Sequence, residues 1–198
     1  MKIKTLLLIY SFAVFCRIPN LMSAIDVTDG IAYEFYRIDS CYSLRGSFII
    51  EADYDCVTEI LYDFKHLKYI IATADSITLL QQGTNWYEVS YTFKKFFYTN
   101  RSIYRKTFKP AEQKIVFELL SDEQNTHILP KLLSSTGYYQ IIPVTTGYEI
   151  EYYQQFIVKS TFFKDRILNM AKKEFVNFML NLREYLNKQC PYPHDPIE

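Results

Sequence analysis

The period of apolar positions changes along the chain, and each change marks an expected element. Residues 5–16 are almost wholly apolar, between Lys2 and Lys4 on one side and Arg17 and Pro19 on the other. Residues 33–50 are rich in aromatic and β-branched types and read as extended, with Gly46 expected to kink or bulge the strand. Helical spacing follows: Val57, Ile60, Leu61 and Phe64 predict one helix or two short ones over residues 54–68, with Asp53 as N-cap and Asp55 in the first turn.

A period of two then takes over. Tyr87, Val89, Tyr91 and Phe93 share one face of a strand over residues 86–93, and Glu88, Ser90 and Thr92 share the other. Further strands are expected over residues 76–81, 102–108 and 115–120, the last with Ile115, Phe117 and Leu119 on one face. Residues 122–133 read as a longer connection. Strands over 138–144 and 148–158 flank Thr145, Thr146 and Gly147, a hairpin turn. In the later strand Tyr148, Ile150, Tyr152 and Phe156 face one way, Glu149 and Glu151 the other.

Helical spacing returns at the end, capped by Thr161. Phe163, Ile167, Met170, Phe175, Phe178, Leu182 and Leu186 trace one apolar stripe, with Lys164, Lys172, Lys173, Asn177 and Lys188 mainly off it. Pro191 stops the helix and leaves residues 191–198 as a frayed tail. One extended segment, a short helical segment, about six antiparallel strands and a long helix predict an α+β fold. A curved antiparallel sheet wrapped around a long C-terminal α-helix buries both apolar faces. Where helix and sheet do not touch, a cavity is expected between them. One domain is expected over residues 31–190.

Composition narrows the function classes. The chain has 198 residues, with 18 Tyr, 15 Phe and 1 Trp, enough to build a core. Lys plus Arg and Asp plus Glu are 22 each, which argues against a sequence-independent nucleic-acid-binding face. The basic start, apolar run and Ser23-Ala24 pair give residues 1–24 the layout of a secretory signal peptide. Its removal takes Lys2, Lys4 and Arg17 but no acid, and leaves a slightly acidic protein expected in a periplasm or outside the cell. Cys41, Cys56 and Cys190 remain, enough for one disulfide and one further thiol, with the pairing open.

Signals for catalysis are thin. His66, His127 and His194 are the only histidines, and none has neighbouring residues at a recognised metal-ligand spacing. There is no G-x-S-x-G, H-E-x-x-H, phosphate-cradling glycine loop or dinucleotide fingerprint. No catalytic residue, metal or cofactor is expected. For the cavity wall, alternation selects Tyr87, Tyr91, Phe117, Tyr139, Ile141, Ile150 and Tyr152 from the strands, and Phe163, Ile167, Met170 and Phe178 from the closing helix.

Several stretches resemble START domains, the lipid-transfer modules, over residues 48–186. Ile50-Glu51-Ala52, Cys56-Val57 and Leu61-Tyr62-Asp63-Phe64 look like the family's first strand running into its helix. Arg101-Ser102 stands where the family tends to have Arg-Asp, so Ser102 replaces the expected acid. Tyr138 to Pro143, Gly147 to Tyr152, and Leu182 to Leu186 with Asn169 are similar to its aromatic strand, next strand and closing helix. Residues 158–164 lack the usual glycines and proline, and Lys131 lies only loosely where an arginine is expected.

The wider superfamily of polyketide cyclases, coenzyme Q-binding proteins and plant hormone-binding proteins fits nearly as well. The resemblance implies a helix-grip fold, an apolar pocket and a lipid or isoprenoid-like ligand, carried by a monomer in transient contact with membranes. It also implies a buried arginine in the pocket. Arg101 is selected on that ground, together with Ile103 and Arg105 on its strand face, and Glu88 or Glu118 as an acidic partner. A cyclase- or hydrolase-like enzyme, or an interaction protein with a solid core, are the alternatives.

Overall fold

The computed structural model describes residues 26–95, 98–125, 131–159 and 164–191. The expected export segment at residues 1–24, Thr161, Phe163, most of the tail and the side chain of Ile167 lie outside the described residues.

Three strands precede the first helix. β1 (Asp26–Thr28) and β2 (Ile31–Ile38) are joined by Asp29-Gly30, both at positive φ, the conformation a tight hairpin needs. β1 thus starts before the expected domain boundary. β2 turns at Asp39 and Ser40 into β3 (Cys41–Ile50). Gly46 makes no bulge: it pairs in register with Tyr33 and Tyr152. Its missing side chain instead gives space to Phe175, whose Cζ would stand 2.8 Å from an added Cβ.

α1 (Tyr54–Tyr62) is capped by Asp53, which accepts from the Cys56 N–H at 2.9 Å. A 3₁₀ turn (Phe64–His66) and the short α2 (Leu67–Ile70) follow. Six further strands complete the sheet: β4 (Ser76–Gln82), β5 (Trp86–Lys95), β6 (Tyr98–Lys109), β7 (Lys114–Gln124), β8 (Lys131–Val144) and β9 (Gly147–Lys159). The expected connection over 122–133 is shorter than the sequence suggests, because β7 and β8 both extend into it.

The nine described strands form one antiparallel sheet in the order β1-β2-β3-β9-β8-β7-β6-β5-β4. The chain ends in α3 (Lys164–Gln189), about 39 Å long at 1.5 Å per residue. No helix among the described residues is long and apolar enough to cross a membrane.

Bulges help bend the sheet. The register shifts between Leu79 and Gln81, between the partners of Ile103 and Tyr104, and between Leu132 and Ser134. The unpaired residues are Leu80, Leu120 and Leu133, and all three are exposed. Each bulge turns a leucine outward and keeps the next inward residue in place.

α3 grips the concave face unevenly. Met179, Leu182 and Leu186 are fully buried with Phe48, Ile141, Ile150, Val57 and Leu61, which makes that end solid. A disulfide from Cys56 to Cys190 fastens α1 to the end of α3. Nearer the helix N-terminus, Phe175 and Phe178 touch the sheet through Tyr152, with ring centroids 5.7 and 5.1 Å apart.

Candidate functional site

A cavity of about 460 Å³ lies between the first half of α3, the α2 end and the inner face of β5 to β9, with Leu44 of β3 at its side. Its volume is within the roughly 300–1,000 Å³ usual for small-ligand sites. Alternation builds its wall: Tyr91 and Phe93 from β5, Ser102, Tyr104 and Lys106 from β6, Phe117 from β7, Tyr139 from β8, and Tyr152 and Phe156 from β9. Rings touch across this wall. Tyr104 meets Tyr91 and Phe117 edge-on, with centroids 5.8 and 6.3 Å apart, and Phe117 stacks on Tyr152 at 5.6 Å.

The wall's polar groups are mostly satisfied by one another. The Tyr152 hydroxyl donates to Gln154 Oε1 at 2.9 Å, Gln154 Nε2 donates to Ser135 Oγ at 2.9 Å, and the Tyr104 hydroxyl pairs with Ser135. Ser102 Oγ donates to Asp122 Oδ1 at 2.7 Å, and the other oxygen of that carboxylate accepts from Leu132 N–H and from Gln124. Burial raises the Tyr91, Tyr139 and Tyr152 phenols well above their ordinary value and Tyr104 to about 12, so all four stay neutral.

Two lining groups are exceptions: Asn100 Oδ1 and Lys106 Nζ are buried without a hydrogen-bond partner among the described residues, and only Lys106 can carry a charge. Lys106 is 3% exposed. Burial pushes its pKa down to about 7.

The residues selected from the sequence divide into five groups. Tyr91, Phe117, Tyr139, Tyr152 and Phe178 line the cavity. Tyr87, Ile141 and Ile150 face inward but sit in the solid core beside it. Met170 is 60% exposed and does not line it, a correction to its place on the stripe. Phe163 and the Ile167 side chain lie outside the described residues.

Arg101, Ile103 and Arg105 also need correction, because odd positions of β6 point to the convex face. Arg105 pairs there with Glu88 at 2.6 Å and covers the Trp86 ring. Arg101 donates to Ser90 Oγ at 3.0 Å and reaches Glu123 at 3.8 Å. Even positions carry the inner face, so the cation in the wall is Lys106, which sequence reasoning missed. Its signal was present: Tyr104 and Phe108 make the even face of β6 the more aromatic one. The missing acid at Ser102 is supplied across the strand pair by Asp122. Asn177, placed off the stripe, lines the cavity.

One surface cluster corrects the reading of His66. Glu59, Asp63 and His66 bring their ligand atoms within 4.8 Å of one another on successive helical turns. Asp63 caps the 3₁₀ turn by accepting from Lys65 N–H at 2.9 Å, and His66 Nδ1 bonds the Tyr185 hydroxyl at 2.9 Å. Both groups therefore have structural partners.

By sequence, no family model and no curated protein matches the chain. By structure the likeness is extensive. The STAR-related lipid transfer protein of Xanthomonas axonopodis is 16% identical, with a TM-score of 0.63 over 83% of this chain and 98% of that one. The Zhui aromatase/cyclase of a Streptomyces species is 13% identical, with a TM-score of 0.61 over 75% of this chain and 94% of that one. The human DLC2 lipid transfer and protein localization domain is 10% identical, with a TM-score of 0.57 over 81% and 86%. The chain has the START-like helix-grip fold.

Proposed function

We propose that this chain is an exported protein that binds a hydrophobic small molecule, of lipid or isoprenoid type, in the cavity beneath α3. The observation that carries this reading is the cavity itself, walled by aromatic rings and closed by Phe175 and Phe178. Burial of apolar ligand surface there is worth roughly 25 cal/mol per Å² removed from water. The fold supports the reading, since two of the similar structures are lipid transfer proteins by name. The Cys56–Cys190 disulfide supports export, because such bonds persist in oxidising compartments.

Native mass spectrometry of the purified chain, before and after organic extraction, tests the proposal and gives the stoichiometry. A retained apolar molecule, removable by extraction and restored by a lipid panel, is the expected result. A chain that neither retains nor takes up any member of a broad panel would refute it. Conversion of the bound molecule during incubation would mark an enzyme instead.

A further inference from the structure

Lys106 has what a ligand anchor needs and what a structural lysine lacks. Its side chain lines the cavity and is buried to 3% exposure, with its Nζ 5.1 Å from the Tyr139 ring centroid and without a hydrogen-bond partner among the described residues. A ring face offsets only part of an ammonium's lost hydration, so an unanswered cation here destabilises the fold. Tyr87, directly opposite Lys106 on β5, also buries a hydroxyl with no partner. Two adjacent inward positions therefore hold unspent donors beside an apolar volume.

Neither Glu174, the acid lining the cavity, nor Asp122 behind the wall is their partner. Asp122 of β7 is engaged by Ser102, Gln124 and Leu132. Glu174 comes from α3, and burial is the one cause of the Lys106 shift, with no contribution from a neighbouring acid.

We propose that Lys106 binds the carboxylate of a single-headed amphiphile, a hydrocarbon or isoprenoid acid whose tail lies among Tyr91, Phe117, Tyr152 and Phe178. This rests on the hydrophobic-ligand reading above and names its chemical class. One ammonium matches one negative charge. A phosphate, at about −1.5 to −2, brings more charge than this wall answers. Among the charged residues lining the cavity, Lys106 is the cation and Glu174 the anion.

The proposal has a pH signature. The titratable groups around Lys106 are Tyr87 of β5, directly opposite it, Tyr104 of its own strand, Tyr139 of β8 with its ring centroid 5.1 Å from Nζ, and Tyr91 and Tyr152 on the same wall. Glu174 of α3 lines the same cavity, Asp122 of β7 stands opposite Ser102 four positions along β6, and Tyr62 and Asp63 at the end of α1 act on Tyr87. The buried tyrosines are held neutral, Tyr87 included. With Lys106 at about 7 in the empty cavity, carboxylate affinity is expected to hold between pH 6 and 7 and to fall above it, by up to tenfold per unit. Affinity for a neutral analogue stays flat.

The test is calorimetric titration of the delipidated full chain with dodecanoate, dodecanol and methyl dodecanoate. At pH 6.5, dodecanoate is expected to bind at least tenfold more tightly than either neutral analogue, and to lose that advantage by pH 9. In Lys106→Met the ratio of dodecanoate to dodecanol affinity is expected to fall to near one. Equal affinities of the unaltered chain for all three, an advantage that does not change with pH, or an advantage that survives in Lys106→Met would each overturn the anchor and leave the hydrophobic cavity standing. Binding of none of the three would overturn both. The pH series uses the unaltered chain alone, so it decides the matter even if the variant fails to fold.

Discussion

At the scale of single residues, the same position on two faces of a strand has opposite meaning. Arg105 and Lys106 are adjacent and alike in charge. Arg105 is paired with Glu88 and open to water, whereas Lys106 is enclosed by rings. The pKa of Lys106 lies near 7 when folded and 10.5 otherwise. Between these values the unfolded chain binds more protons, so this group makes stability rise with pH, by up to roughly 1.4 kcal/mol per unit. Below pH 7 the full cost of burying the ammonium is present. Lys106→Met keeps length and removes charge. It is expected to be more stable than the parent at pH 6, with the difference closing toward pH 10, as measured by urea unfolding at several pH values. A difference independent of pH would contradict burial as the cause.

The element scale explains how a regular pattern makes a curved wall. Period-two alternation was legible in β5, where the four inward residues follow it without interruption. It breaks at Leu80, Leu120 and Leu133, because an extra residue inverts any alternation continued past it. Gly46 shows a different limit. Its need for space comes from Phe175, distant in sequence and packed across the fold. Gly46→Val is expected to push that ring and the helix outward, at a cost of about 1–3 kcal/mol, visible as a lowered urea midpoint with unchanged m-value.

The first turn of α1 and the C-terminal end of α3 are joined by Cys56 and Cys190, 134 positions apart. Replacing both with serine is expected to cost about 2–5 kcal/mol, because the unfolded chain regains the freedom of a long loop. Equal stability of oxidised and reduced protein would contradict this.

At the scale of the whole molecule, the fold divides α3 between two tasks. Its second half closes a solid core through Met179, Leu182 and Leu186, and its first half roofs a cavity. The two can therefore be separated by mutation. Ala171→Trp, on the roof, is expected to fill the cavity and abolish retention of an apolar molecule at an overpacking cost of about 1–3 kcal/mol, with the buried residues of the second half left in place. In the unaltered chain, a ligand at a hundred times its Kd is expected to add about 2.7 kcal/mol of stability. Ligand-dependent unfolding curves measure both.

The sequence by itself determined the element order, the α+β class, the Asp53 cap and the inward face of β5. Each depends on residues close together along the chain, where capping geometry and the periods of helix and strand act. It also carried the pairing of β8 with β9, because a turn between them sets the register. Tertiary structure alone decided that β3 joins β9, that Cys56 meets Cys190, and that Asp122 stands where an acid was missing beside Ser102. It decided, too, that Lys106 rather than Arg101 faces the cavity. These facts join positions far apart in sequence or depend on which side of a sheet is covered. No local period records which face the closing helix will choose.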